Sequence, residues 1–153
     1  MQSKHAIVER SRQANRDLID LTAYYTASLD EDWVGVPGGN LAALPQGVQV
    51  FAEAAFDMRG VIQLAGQATT PAKGRDFPSV VEGIKVNHQG RRLHFLHGAV
   101  GETDQDTRIG DYVLHYADGR TVEVPIIYQR QVRNWWTREG EPLPTDADIA
   151  WTG

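Results

Sequence analysis

The chain has no cysteine in its 153 residues. That excludes a disulfide framework, thiolate metal ligation and a cysteine nucleophile, and it fits a reducing compartment. Long apolar runs are missing too. Nothing approaches the roughly 18 consecutive apolar residues of a membrane-spanning helix. The N-terminal stretch MQSKHAIVERSRQANRDLIDL carries Lys4, Arg10, Arg12 and Arg16 but no apolar run of signal-peptide length. Neither membrane insertion nor a secretion signal is expected, and the compartment stays open. Basic charge is in deficit, with 15 Lys+Arg against 20 Asp+Glu, and it is scattered along the chain. A nucleic-acid partner, which would have to be held by neutralising its phosphates, is not expected. The serines (Ser3, Ser11, Ser28 and Ser79) sit in no G-x-S-x-G context and read as caps and loop residues. No enzyme is expected.

One domain of ordinary globular composition is the natural reading of this length. Residues 1–17 predict a helical leader, with Ser3 as N-cap, no Gly or Pro, and a thin apolar stripe of Ala6, Ile7 and Ala14. After residue 17 the helical period stops. Leu18–Tyr25 is β-prone, and strands are expected around Val48–Phe51, Ala55–Met58 and Val61–Leu64. Residues 67–79 read as an exposed, turn-rich loop. In VVEGIKVNHQGRRLHFLHG, Asn87–Gly90 should turn one strand into the next. The hairpin signal is strongest in RIGDYVLHYADGRTVEVPIIY. There Asp118-Gly119 lies between alternating arms and suits a type I′ turn, with Tyr112, Leu114 and Tyr116 on one face. Pro125 lacks an N–H and places its arm at a sheet edge. Short strands, frequent turns and little helix predict an antiparallel β-sandwich over 18–153.

The segment VRNWW sets Trp135 beside Trp136. Neighbouring side chains on an extended strand point to opposite faces, so only one of the two can enter a given core. The other is a candidate platform for a sugar, whose C–H face stacks on an aromatic ring while planar donors take its hydroxyls. The candidate ligand-binding set is Trp33, Arg92, Tyr128, Arg133, Trp135 and Trp136. The loop GETDQDTRIGD brings Glu102, Asp104, Asp106 and Asp111 close in sequence, a candidate structural calcium loop, although its spacing is not that of an EF-hand. His94 and His97 are an odd number of residues apart on an expected strand and face opposite ways, so they do not chelate one metal. Asp57 and Arg59 share a face and are expected to pair as ions.

Several phrases in order, IDLTAYYTASL, NLAALPQGVQVF, AFDMRGVIQL, VEGIKVNHQGRRLHFLHG, IGDYVLHYADGRTVEVPIIY, VRNWW and AWTG, resemble a galactose-binding-like jelly-roll domain of bacterial multidomain proteins. The resemblance spans residues 18–153 and implies a jelly-roll sandwich that lacks its last strands, because AWTG is followed by further strands in such domains. It implies a non-catalytic binding module similar to carbohydrate-binding domains. The alternative is a structural or assembly module that docks a partner by strand complementation or exchange, with another protein chain or a second copy supplying the strands.

Overall fold

The structure, a computed structural model, describes residues 7–69 and 76–153. Among these residues there is no helix, and so none long and apolar enough to cross a membrane. Four strands occur: β1 (Gly47–Phe51), β2 (Ala54–Met58), β3 (Arg108–His115) and β4 (Thr121–Ile127). They form two separate antiparallel ribbons, β1 with β2 and β3 with β4. The expected jelly-roll sandwich with an N-terminal helix is therefore incorrect. The chain divides into two compact units, Met1–Phe95 with Ala150–Gly153, and Leu96–Ile149.

The described part of the leader, residues 7–17, is not helical because its polar side chains compete for its backbone. Ser11 Oγ accepts from the Gln13 amide at 3.2 Å, and Asn15 Oδ1 accepts from the Asp17 amide at 3.1 Å. Each such local bond closes a tight turn in place of a helical one. The Arg10 guanidinium adds a bond to the Leu18 carbonyl at 2.6 Å. The expected cap, Ser3, lies outside the described residues, as do residues 70–75 of the expected loop.

Sandwich formation fails on pairing. The strand expected over Val61–Leu64 reduces to a single bridge, with Val61 and Ala27 exchanging backbone bonds. Leu18–Tyr25 forms no strand and turns at residues 22–24, and residues 81–97 form no ladder, although Asn87 does take a positive φ of 45°. Alternation of apolar residues makes a strand possible, but a sheet requires a partner in register.

The first ribbon turns at Ala52 and Glu53, with φ of 44° and 65° between the paired residues Phe51 and Ala54. Two positive φ values in a two-residue loop define a type I′ turn, here without the Asn-Gly that usually signals one. Phe51 and Ala54 are buried in the first unit, along with Ala27, Leu29, Trp33 and Leu44.

The second ribbon is the expected hairpin, with a different turn. Only Gly119 takes a positive φ, 87°, and Tyr116 and Arg120 close the loop through the Tyr116 amide and Arg120 carbonyl at 2.9 Å. The Gly119 amide returns to the Tyr116 carbonyl at 3.0 Å. This is a three-residue loop with glycine in the left-handed position of a bulge, so the type I′ expectation is corrected. Asp118 caps it from outside, its carboxylate accepting from the Arg120 amide and guanidinium. In β3 the more covered residues alternate, Gly110, Tyr112 and Leu114, as the sequence predicts. In this unit the buried apolar side chains are Tyr128 and Val132.

Candidate functional site

The tryptophan pair lies on the segment that follows β4. Tyr128 and Val132 are buried, and the chain between them folds back so that the Gln129 amide reaches the Val132 carbonyl at 2.8 Å. Gln129 takes a φ of 66°, which lets the chain reverse there. The Ile127 amide is capped by Gln131 Oε1 at 2.9 Å. Beyond Val132, residues 133–135 run parallel to Ala99, with the Ala99 amide on the Arg133 carbonyl and the Trp135 amide on the Ala99 carbonyl, both at 2.9 Å.

Asn134 clamps this bend. Its Oδ1 accepts from the amides of Gly101 at 3.3 Å and Trp136 at 3.4 Å, and its own amide reaches the Tyr128 hydroxyl at 3.4 Å. Trp135 is half-buried, with its Cβ against Gly98, whereas Trp136 is 64% exposed. The two rings meet edge to face, 5.8 Å apart at 81°. The chain bends at Trp135 and Trp136 instead of running extended, so the expected divergence to opposite faces does not occur: the rings touch, and the bent backbone leaves one indole in water. Leaving that ring uncovered forgoes on the order of 2 kcal/mol of burial.

The remaining candidates are dispersed. Tyr128 is buried and serves as an anchor beneath the bend, and Arg133 Nη1 donates to the Pro142 carbonyl at 3.1 Å. Trp33 belongs to the first unit, 3% exposed, with Nε1 donating to Gln63 Oε1 at 3.0 Å. It is a core residue. Arg92 is exposed and also lies in the first unit.

The acidic loop does not gather. Asp106 pairs with Arg130 Nε at 2.6 Å, Asp111 pairs with Arg108, and Glu102 and Asp104 are exposed. Among the described residues no group of three or more His, Asp or Glu converges to hold a metal ion. Two of the four carboxylates of the candidate calcium set are thus paired with arginines.

Two polar clusters escape a reading of the sequence by motif. In the first unit, Arg59 is buried, with Nε on Asp57 Oδ2 and Nη2 on Asp20 Oδ1, both at 2.9 Å, and its guanidinium 5.6 Å from the Tyr25 ring centre. The Asp57 pairing is legible from FDMRG, but Asp20 and Tyr25 come from distant sequence. Bonds from Thr22, with Arg59 and Arg10 adding positive charge, hold the Asp20 carboxyl down at about 2. In the second unit, His97 Nε2 lies 2.9 Å from the Gln131 carbonyl and Nδ1 lies 3.0 Å from the Tyr112 hydroxyl. A carbonyl only accepts, so Nε2 carries the proton and Nδ1 receives the tyrosine O–H. Burial lowers the His97 pKa against the pull of the Gln131 carbonyl, and burial pushes Tyr112 up to about 12. Comparison of the chain with known protein families, with curated proteins and with solved structures finds no match.

Proposed function

We propose that this chain is a non-catalytic binding module of carbohydrate-binding kind, with Trp136 as the aromatic platform. The observation that carries the reading is the exposed indole held on a clamped backbone: Asn134 fixes the bend, and Trp135 braces the ring edge to face. A ring ordered before binding loses little entropy on contact, and its face suits the C–H surface of a pyranose. The test is a glycan array followed by tryptophan fluorescence titration with the oligosaccharides that bind. Trp136→Ala is expected to abolish binding while leaving the unfolding midpoint nearly unchanged. Failure of every glycan to bind, or an undiminished affinity in Trp136→Ala, overturns the reading.

A second reading, that of an assembly module docking strands of another copy, is supported by a different observation. Among the described residues each sheet has two strands, and Val48, Val50, Val113, Val122 and Val124 are exposed on them. A lone two-stranded ribbon is marginally stable in water, and adding strands is what stabilises it. A monodisperse monomer across the micromolar range would overturn this reading.

A further inference from the structure

We propose that two copies of this chain pair antiparallel along the outer edge of β3, with Val113 facing Val113 of the second copy, to make a four-stranded sheet. This rests on the assembly reading and names its edge, register and partner.

The edge follows from hydrogen-bond parity. The Tyr116 amide bonds to the Arg120 carbonyl, and Leu114 pairs with Val122 and Tyr112 with Val124. In an antiparallel ladder alternate residues direct their backbone groups to the same side. The amides and carbonyls of Tyr112 and Leu114 therefore face β4, and those of Asp111, Val113 and His115 face outward. Among the described residues these outward groups take no backbone partner, and Val113 is 48% exposed.

The outer edge of β4 is closed by comparison. Its outward residues include Pro125, which has no N–H to offer. At the end of the same edge, the Ile127 amide is held by Gln131 Oε1 and its carbonyl by the amides of Arg130 and Gln131. Strand addition on this ribbon is thus directed to β3.

The register follows from complementarity. Antiparallel pairing about Val113 sets Asp111 opposite His115 of the second copy, twice by symmetry, and sets Tyr112 opposite Leu114. His115 Nδ1 contacts the Thr121 hydroxyl at 3.3 Å, which leaves Nε2 to meet the Asp111 carboxylate through Oδ2, since Oδ1 is on Arg108 of its own copy. Pairing about Tyr112 or Leu114 would place Asp111 opposite Val113 or Ala117, and a parallel register would place it beside its own copy. Cross-strand pairs of opposite character stabilise a sheet, and like charges oppose it. The same carboxylates that discourage random edge pairing therefore favour this one.

Sedimentation from about 1 to 200 µM would measure the association, across the range expected for a small interface. The chain has no cysteine, so Val113→Cys carries a single thiol. Facing Cα atoms in a hydrogen-bonded pair lie about 5.5 Å apart, within disulfide range. Mild oxidation is expected to convert Val113→Cys to a covalent dimer, while Glu123→Cys on the β4 edge is expected to stay uncrosslinked. Val113→Pro removes an outward N–H that the ribbon does not use. It should keep the wild-type circular dichroism while weakening association about tenfold or more, through loss of the two central bonds. If proline disturbs the strand, Val113→Lys, which sets two ammonium groups face to face, is expected to weaken association as well. A wild-type dimer that resists both substitutions and does not crosslink through Val113→Cys overturns this pairing and leaves strand docking elsewhere standing. A wild-type monomer at every concentration overturns both.

Discussion

Arg59 Nε lies 2.9 Å from Asp57 Oδ2, and the two side chains are only 1% and 4% exposed. The next cation to Asp57, Arg10 Nε, is 3.8 Å away. Removing one member of a buried ion pair leaves the other charge uncompensated, which costs more than the pair itself contributes. Arg59→Met is expected to destabilise the chain by about 3 kcal/mol. Asp20→Asn, at the solvent-exposed end of the network with a side chain 54% exposed, should cost about 1 kcal/mol or less. Urea denaturation midpoints check both. An Arg59→Met midpoint close to wild type would show that the bonds of Arg59 to Asp20 and to the Val8 carbonyl do not hold the N-terminal segment to the end of β2.

His97 joins β3 to the bend that carries the tryptophans. Burial depresses its pKa from the ordinary 6.5. The unfolded chain then binds a proton more readily than the folded one, so unfolding becomes easier as pH falls below about 6.5 and continues to do so down to the folded value. Above about 6.5 this contribution is fully present. Tracking the His97 ring protons by NMR should give a midpoint below 6.5. Tyr112→Phe leaves Nδ1 without its donor and is expected to cost about 1 kcal/mol at neutral pH. A midpoint at or above the ordinary value would contradict the buried, neutral imidazole.

The turn at Ala52 and Glu53 is strained by its side chains. Positive φ at a residue with a Cβ costs roughly 1 kcal/mol, and glycine relieves it. Replacing the pair by Asn-Gly, through Ala52→Asn with Glu53→Gly, is expected to stabilise the chain by about 1 kcal/mol. The gain should appear as a higher melting temperature with unchanged β-sheet dichroism. A loss of stability would mean that the ribbon turns elsewhere.

The β3–β4 hairpin was legible because its determinants are local: an alternating arm, Asp118-Gly119, and a second alternating arm. Even so, glycine's tolerance of positive φ did not specify the loop length, and the side chain of Asp118 capping Arg120 accompanies the longer loop. The Ala52-Glu53 turn carries no such residue signal, although its flanking strands were legible from alternation. The leader shows the opposite failure. Absence of Gly and Pro allows a helix, but it does not count the turns that Ser11 and Asn15 close with their own side chains. The short alternating segments with frequent turns, and the family resemblance with them, led to the sandwich expectation, which the pairing does not support.

Among the site residues, VRNWW by itself set two indoles side by side, with divergence expected only of an extended backbone; the bend at Trp135 and Trp136 brings the rings together instead. Only the tertiary structure decided which one is exposed, through Asn134 and the contact of Trp135 with Gly98. Likewise, sequence determined that Asp57 and Arg59 share a face. Folding decided that Asp20 and Tyr25 complete their surroundings, and that Asp106 and Asp111 are held by Arg130 and Arg108. Alternation, turn preference and charge act over a few residues and can be read along the chain. Which distant groups meet depends on pairing and burial, where many weak contacts compete and no single residue carries the answer.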